Sequence, residues 1–201
     1  MYLKASERME RRGVGEHRRK LLAGLSGRVV EVGAGNGLNF AHYPETVTEV
    51  IAIEPEPTLR EAGEKAATAA PVAVTVRDGT ADAVPLGDGE VDAAVASLVL
   101  CSVPDQARAL AELHRVVRPG GQLRFYEHVI ARRQPKRALL QFFDSSGLWP
   151  KVAGGCHPAR DTGAAIEAAG FTIEECERFG FKASFFEPTI PHILGRASRV
   201  S

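Results

Sequence analysis

Glu31, Gly33, Gly35, Gly37 and Glu54 are the residues of this chain whose types and spacing point most directly to chemistry. The glycines alternate after the apolar run Val29-Val30-Glu31-Val32, the pattern of a strand turning tightly into a nucleotide-type site. Glycine is needed in such a turn because a side chain would hold a ligand away from the backbone N–H groups. A dinucleotide fingerprint reads G-x-G-x-x-G, and Leu38 stands where its third glycine would be. Glu31, two residues before the first glycine, suits a cation better than a pyrophosphate. S-adenosylmethionine (SAM) fits, being a nucleoside with an ammonium, a sulfonium and no phosphate. Glu54 follows a second apolar run, Val50–Ile53, where an acid takes ribose hydroxyls roughly 20 residues after the loop. An ordinary glycine loop is the alternative, and the two acids in register weigh against it. A nicotinamide-dependent oxidoreductase is the rival enzyme class, disfavoured by Leu38 and Glu31.

These residues need a scaffold that brings successive strand ends to one edge. Apolar runs place strands near 28–32, 49–53, 72–76, 91–97 and 122–128, with helices near 57–69 and 105–117 between them, an alternation that reads as a doubly wound α/β sheet. The second helix starts at Pro104-Asp105, carries Ala107, Leu110, Leu113 and Val117 on one stripe and stops at Pro119-Gly120-Gly121. Later come helical stretches near 137–143 and 161–169 and two β-rich runs, 171–179 and 189–197. The segment 6–25, rich in Arg and Glu, predicts a charged amphipathic helix, either a solvated packing face or a lid at the cofactor mouth.

With 201 residues and no internal repeat, one domain is expected, residues 1–26 forming an N-terminal cap and 131–170 an acceptor-side insertion. Lys and Arg together number 25 and are balanced by 25 acids, so no global field draws nucleic acid. Cys101, Cys156 and Cys176 form no close pair and follow no signal peptide, which points to a reducing, cytoplasmic setting. No apolar run approaches the ~20 residues that span a bilayer.

Glu31-Val32-Gly33-Ala34-Gly35-Asn36-Gly37, Glu54, Pro85-Leu86-Gly87-Asp88-Gly89-Glu90-Val91-Asp92 and Arg118-Pro119-Gly120-Gly121 resemble the successive motifs of class I SAM-dependent methyltransferases of the ubiquinone/menaquinone-biosynthesis type. The resemblance covers about residues 28–130. It implies a Rossmann-like, doubly wound seven-stranded sheet whose last strand is antiparallel, with the two C-terminal β runs closing it. A narrower resemblance runs through Asn39-Phe40, Tyr43-Pro44, Leu98–Val103, Glu127-His128, Gly155-Cys156 and Pro191–Ala197, and is to the vertebrate methyltransferase-like proteins described as alkyl thiol methyltransferases. Those relatives carry an N-terminal hydrophobic anchor that this sequence does not show, so no integral membrane association is expected.

By that resemblance, Gly33, Ala34, Gly35 and Gly37 lie under the methionine part of SAM, and Glu31 orients its ammonium through the loop or a water. Glu54 takes the ribose, Pro55 flanks the adenine, and the backbone of Gly79, Thr80 and Ala81 reads the adenine edge, although the family often has an acid at position 80. Ser97 and Leu98 pass close to the sulfonium methyl, and Asn39 reaches the carboxylate. Each could instead be a packing residue.

Methyl transfer is an in-line displacement at a carbon already activated by positive sulfur, so geometry and desolvation supply most of the acceleration. Acceptors differ in how they lose a proton: a thiol with a pKa near ~8.5 needs only a weak base, whereas a phenol near ~10 needs a positioned one. His128, at the carboxyl end of the fifth strand, is the candidate base, or else a satisfied structural histidine. Glu127, Trp149, Cys156 and His192 are candidates for the acceptor side, with loop and packing roles as the alternative. Phe142, Phe143, Leu148, Phe185 and Phe186 could line an apolar acceptor pocket or belong to the core. Cys156, His157 and Asp161 match no strong ligand spacing, so no metal is expected. The reading is a SAM-dependent methyltransferase, with S-adenosylhomocysteine as product, acting on a small molecule and most simply a thiol. A phenol, amine or phospholipid headgroup is the alternative acceptor, and a SAM-binding module the alternative without turnover.

Overall fold

The computed structural model describes residues 10–132, 134–145, 155–182 and 189–200, apart from the side chains of residues 11, 12, 136 and 143. The strands are β1 (Gly27–Val32), β2 (Val47–Ile53), β3 (Val74–Arg77), β4 (Val91–Ser97), β5 (Val117–His128), β6 (Phe171–Phe181) and β7 (Ile190–Arg199). The helices are α1 (Gly15–Leu22), entered by a π-helical turn at Glu10–Val14, α2 (Pro57–Ala67), α3 (Gln106–Val116), α4 (Lys136–Ser145) and α5 (Thr162–Ala168).

One sheet has the order β3-β2-β1-β4-β5-β7-β6. β1 to β5 pair in parallel, and β7 runs antiparallel to both β5 and β6. The expected seven-stranded α/β architecture with its C-terminal hairpin is therefore observed. The inner strands are covered on both faces, which is why Val29-Val30, Val50–Ile53 and Ala93–Ala96 read as apolar runs without alternation. One core cluster packs Leu110, Leu113 and Val116 of α3 and Ile166 of α5 against Phe125 and Leu123; the other packs Leu21 and Leu22 of α1 with Phe40 and Tyr126 on the opposite face. At the sheet's outer border, β6 turns Glu174, Glu175 and Glu177 to solvent, charges that disfavour edge-to-edge pairing.

Local signals set the helix starts. Pro57 opens α2 behind Glu56, whose carboxylate accepts the Leu59 N–H at 2.7 Å, and Asp105 caps α3 by accepting the Arg108 N–H at 3.0 Å. β5 begins five residues earlier than the sequence suggests. Val117 pairs with Val91, and Pro119 and Gly120 then fall in a break of register, where a proline owes the ladder no N–H. Among the described residues no helix is long and apolar enough to cross a membrane.

The functional consequence lies between β1 and β4. Chain order reverses there, with β2 on one side and β5 on the other, so the loops after β1, β2, β3 and β4 and the end of β5 share one edge, where open α/β sheets bind ligands.

Candidate active site

The loop after β1 is shaped by two glycines with different needs. Gly33 has φ +62°, and a Cβ on it would fall 2.3 Å from Val99 Cγ2, so the loop lies directly against the segment after β4. Gly35 has φ +57° and no atom within 4 Å of such a Cβ, so its requirement is conformational. Its N–H donates to Glu54 Oε2 at 2.8 Å, and Glu54 Oε1 accepts the Glu56 N–H at 3.0 Å. Glu54 thus ties the end of β2 to the glycine loop. Pro55 beside it is exposed, as is Thr80, while Ala81 is buried. Asp82 accepts a hydrogen bond from the Thr80 side chain, which holds its carboxyl below the ordinary range. An acid therefore stands two residues beyond the position where the family often has one.

Glu31 lies beneath the loop, 2 % exposed. Its oxygens accept from Asn39 Nδ2 at 2.8 Å and the Tyr43 hydroxyl at 2.7 Å. Burial raises its pKa to about 7, against the lowering effect of Tyr43 and Asn39. Both of its oxygens are thus engaged by side chains of the segment after the glycine loop. Asn39 Oδ1 in turn accepts from Arg18 of α1 at 2.8 Å, and the same guanidinium nitrogen lies 3.3 Å from Ser97 Oγ at the end of β4. Glu10 holds Arg18 Nε at 3.0 Å. The N-terminal segment therefore places a cation between the β1 and β4 loops.

Leu98 follows Ser97 with φ +58°, a left-handed conformation that strains a non-glycine residue by about 1–3 kcal/mol. Glu127 holds it there. This fully buried carboxylate accepts the N–H groups of Val99, Leu100 and Cys101 at 3.0, 2.9 and 3.1 Å. Both Glu127 oxygens thus accept from the loop after β4, Oε1 from Val99 and Leu100 and Oε2 from Cys101.

At the end of β5, His128 Nδ1 is 3.4 Å from Cys101 Sγ and 3.3 Å from Cys156 Sγ. The Cys156 thiol is drawn down by its hydrogen bond with Cys101 and by His128, while that contact and burial push Cys101 up. The grouping of Cys156 with His157 and Asp161 is not formed. His157 pairs with Asp144 at 3.0 Å, Asp161 caps α5, and Cys101 is the neighbour of Cys156 instead.

His192, expected on the acceptor side, is 2 % exposed and stacks on Tyr126 and Phe179 at centroid distances of 5.4 and 5.6 Å. Burial drives its pKa down to about 3, so its ring is neutral and Nδ1 donates to the Ile190 carbonyl at 2.9 Å. His17 of α1 stacks on Phe179 at 4.5 Å and completes an aromatic wall. Within that wall the Tyr126 hydroxyl is buried and has no hydrogen-bond partner among the described residues. Leu148, Trp149, Phe185, Phe186 and the Phe143 side chain lie outside the described residues, and Phe142 is 66 % exposed.

Arg18, Tyr43, Cys101 and Tyr126 are residues to which the sequence assigned no role in the site, although Tyr43 and Cys101 fall within motifs of the narrower resemblance. Arg18 is one of many basic residues on a charged helix, and nothing local marks it. Cys101 had a signal, its place just after the fourth strand, but its partners come from remote segments.

A family model described as "Methyltransferase domain" matches residues 30–125. Thiol S-methyltransferase TMT1B of Mus musculus is 36% identical over 185 residues, covering 89% of this chain and 74% of that protein. Among solved structures, the YcgJ protein of Bacillus subtilis superimposes with a TM-score of 0.74 at 14% identity, covering 95% of this chain and 99% of the other. Geranyl diphosphate methyltransferase in complex with SAM superimposes at 0.71 with 16% identity, covering 94% of this chain and 85% of that one. The identity to the thiol S-methyltransferase over most of both proteins and the match to the domain model, on a seven-stranded sheet shared with the solved methyltransferase fold, show that the chain belongs to the class I SAM-dependent methyltransferases.

Proposed function

We propose that this enzyme methylates a small thiol. The observation that carries the reading is the extent of the match to the thiol S-methyltransferase: it runs over 185 residues, well past the 30–125 segment of the methyltransferase domain.

In this reading Glu54 takes the ribose hydroxyls, and the Gly33–Gly37 loop, with Ala34, carries the methionine moiety. Arg18 meets the SAM carboxylate together with Asn39, which Glu31 holds in place. Pro55 and the backbone of Gly79, Thr80 and Ala81 surround the adenine. Ser97 and the strained Leu98 border the sulfonium methyl. The acceptor enters from the His128 side, where the Tyr126 hydroxyl has no hydrogen-bond partner among the described residues and Cys156 and the neutral His192 form part of the wall. Its proton leaves with help from His128, and the sulfur lone pair attacks the methyl carbon in line with the departing sulfonium. The protein supplies alignment and a dry site, and a nucleophile as strong as a thiolate requires little more.

In the same reading the chain is one domain, with 1–26 taken as the cap and 131–170 as the acceptor-side insertion, of which Trp149 lies outside the described residues. The partner is a small molecule rather than nucleic acid, and the location we assign is cytoplasmic.

Incubation with SAM carrying a deuterated methyl group and a small alkyl thiol tests the acceptor. A thioether of correspondingly increased mass is expected. Labelled product on oxygen or nitrogen acceptors, with none on sulfur, would overturn the thiol assignment.

A further inference from the structure

Three soft donor atoms converge where β4 and β5 end. Cys101 follows β4, His128 closes β5 and Cys156 precedes α5, so remote stretches of chain meet at one point. The two sulfurs lie 3.4 and 3.3 Å from the same ring nitrogen, and all three donors are within 4.8 Å of one another. An imidazole nitrogen offers one lone pair or one proton in its plane, so as a hydrogen-bonding group it can serve one of these sulfurs well but not both. A tetrahedral cation between them serves all three. Zinc takes sulfur at about 2.3 Å and nitrogen at about 2.0–2.1 Å, which sets sulfur and nitrogen about 3.5 Å apart along a tetrahedral edge. The separations here are close to that before any ion has drawn the donors in.

The frame is also rigid. The His157 N–H donates to the Cys101 carbonyl at 2.7 Å, binding the Cys156 segment to the β4 loop. Arg160 reaches the carbonyls of Leu100 and Val103 at 2.8 and 2.7 Å, and Glu127 fixes the N–H groups on the other side of that loop. Donors held by so many remote hydrogen bonds are pre-organised, as a metal site requires.

We propose that Cys101, His128 and Cys156 form a binding site for a thiophilic divalent cation of the zinc type, whose fourth position takes the sulfur of the methyl acceptor. The role given to the ion rests on the thiol reading above; the ion site itself does not. Loading the ion releases the two cysteine protons to solvent. The acceptor thiol then displaces a bound water or hydroxide and gives up its proton to it, and the metal keeps its oxidation state. The lone pair of the coordinated sulfur forms the new bond to the methyl carbon. The old carbon–sulfonium bond breaks, and its electron pair stays on the sulfur of S-adenosylhomocysteine. The product thioether is neutral, a poorer ligand, and leaves. His128 thus promotes loss of the acceptor proton through the ion.

The test uses the Cys176→Ser chain, which removes the exposed third thiol. After chelator treatment it is titrated with Co2+. One ion per chain is expected, with sulfur-to-cobalt charge-transfer absorption and the visible bands of tetrahedral coordination, all displaced by zinc. Cys101→Ser and Cys156→Ser should each weaken uptake by about 100-fold or more. Zinc X-ray absorption of the chain without those substitutions needs no folding variant and should show two sulfurs and one imidazole nitrogen. No uptake, or a shell without sulfur, overturns the site. Thiol methylation by the stripped enzyme at the zinc-loaded rate overturns the ion's role while leaving the thiol acceptor standing. Uptake with no thiol methylated upholds the site and removes the thiol reading.

Discussion

Arg18 donates to the amide oxygen of Asn39 at 2.8 Å, and the other end of that amide donates to the buried Glu31 at 2.8 Å. The N-terminal helix is thereby wired to the glycine loop through one side chain. Arg18→Ala should weaken S-adenosylhomocysteine binding by about tenfold, the worth of one charge-assisted contact, with little change in fold. Calorimetric titration of both proteins checks this, and equal affinities would remove Arg18 from the cofactor site.

Glu31 gives stability a pH dependence of definite sign. Its carboxyl titrates at about 7 in the fold against 4.5 when unfolded, so between those values the folded state binds the extra proton. The stability it contributes is complete below about 4.5, falls as pH rises toward 7 and is lost above it, by roughly 3 kcal/mol in all. Arg18, Asn39 and Tyr43 are the groups that face it. In denaturant titrations from pH 4.5 to 8, Glu31→Gln should flatten this slope, because a neutral amide keeps the contacts without the proton.

Glu54→Ala removes an acceptor that holds the Gly35 N–H and, in the proposed complex, the ribose. A loss of about 10- to 100-fold in S-adenosylhomocysteine affinity is expected, with Glu54→Gln between the two proteins. The readout is again binding rather than turnover, so the acceptor's identity does not enter.

Gly33→Ala should destabilise the fold by about 1–3 kcal/mol, since the new methyl would lie 2.3 Å from Val99 in a left-handed backbone. Gly35→Ala carries the conformational penalty without the clash, so its thermal midpoint should fall less. A reversed order would mean that the loop does not pack against the β4 segment as described.

The fold and the cofactor end were legible in the sequence because their signals are local. Val29–Gly37 carries its strand, its turn and its acid within a few residues, and Glu54 follows its strand directly. The acceptor end was legible only as a set of names. Cys101, His128 and Cys156 meet through three remote segments, and Arg18 reaches the site from a helix whose composition resembles any solvated face. Glu127 lies at the end of β5 and His192 in the C-terminal hairpin, as expected, but their burial and their partners come from contacts that the local sequence does not show. One is committed to three backbone donors and the other to an aromatic stack.

In the proposed reaction SAM's methyl group goes to a thiol at the His128 edge. Release of S-adenosylhomocysteine, measured side by side with small thiols, phenols and amines at equal concentration, tests it most directly. Turnover with the thiols should lie far above that with the others and should fall steeply in His128→Ala at unchanged cofactor affinity. Turnover confined to phenols or amines, or His128→Ala transferring methyl groups at the unsubstituted rate, would contradict it.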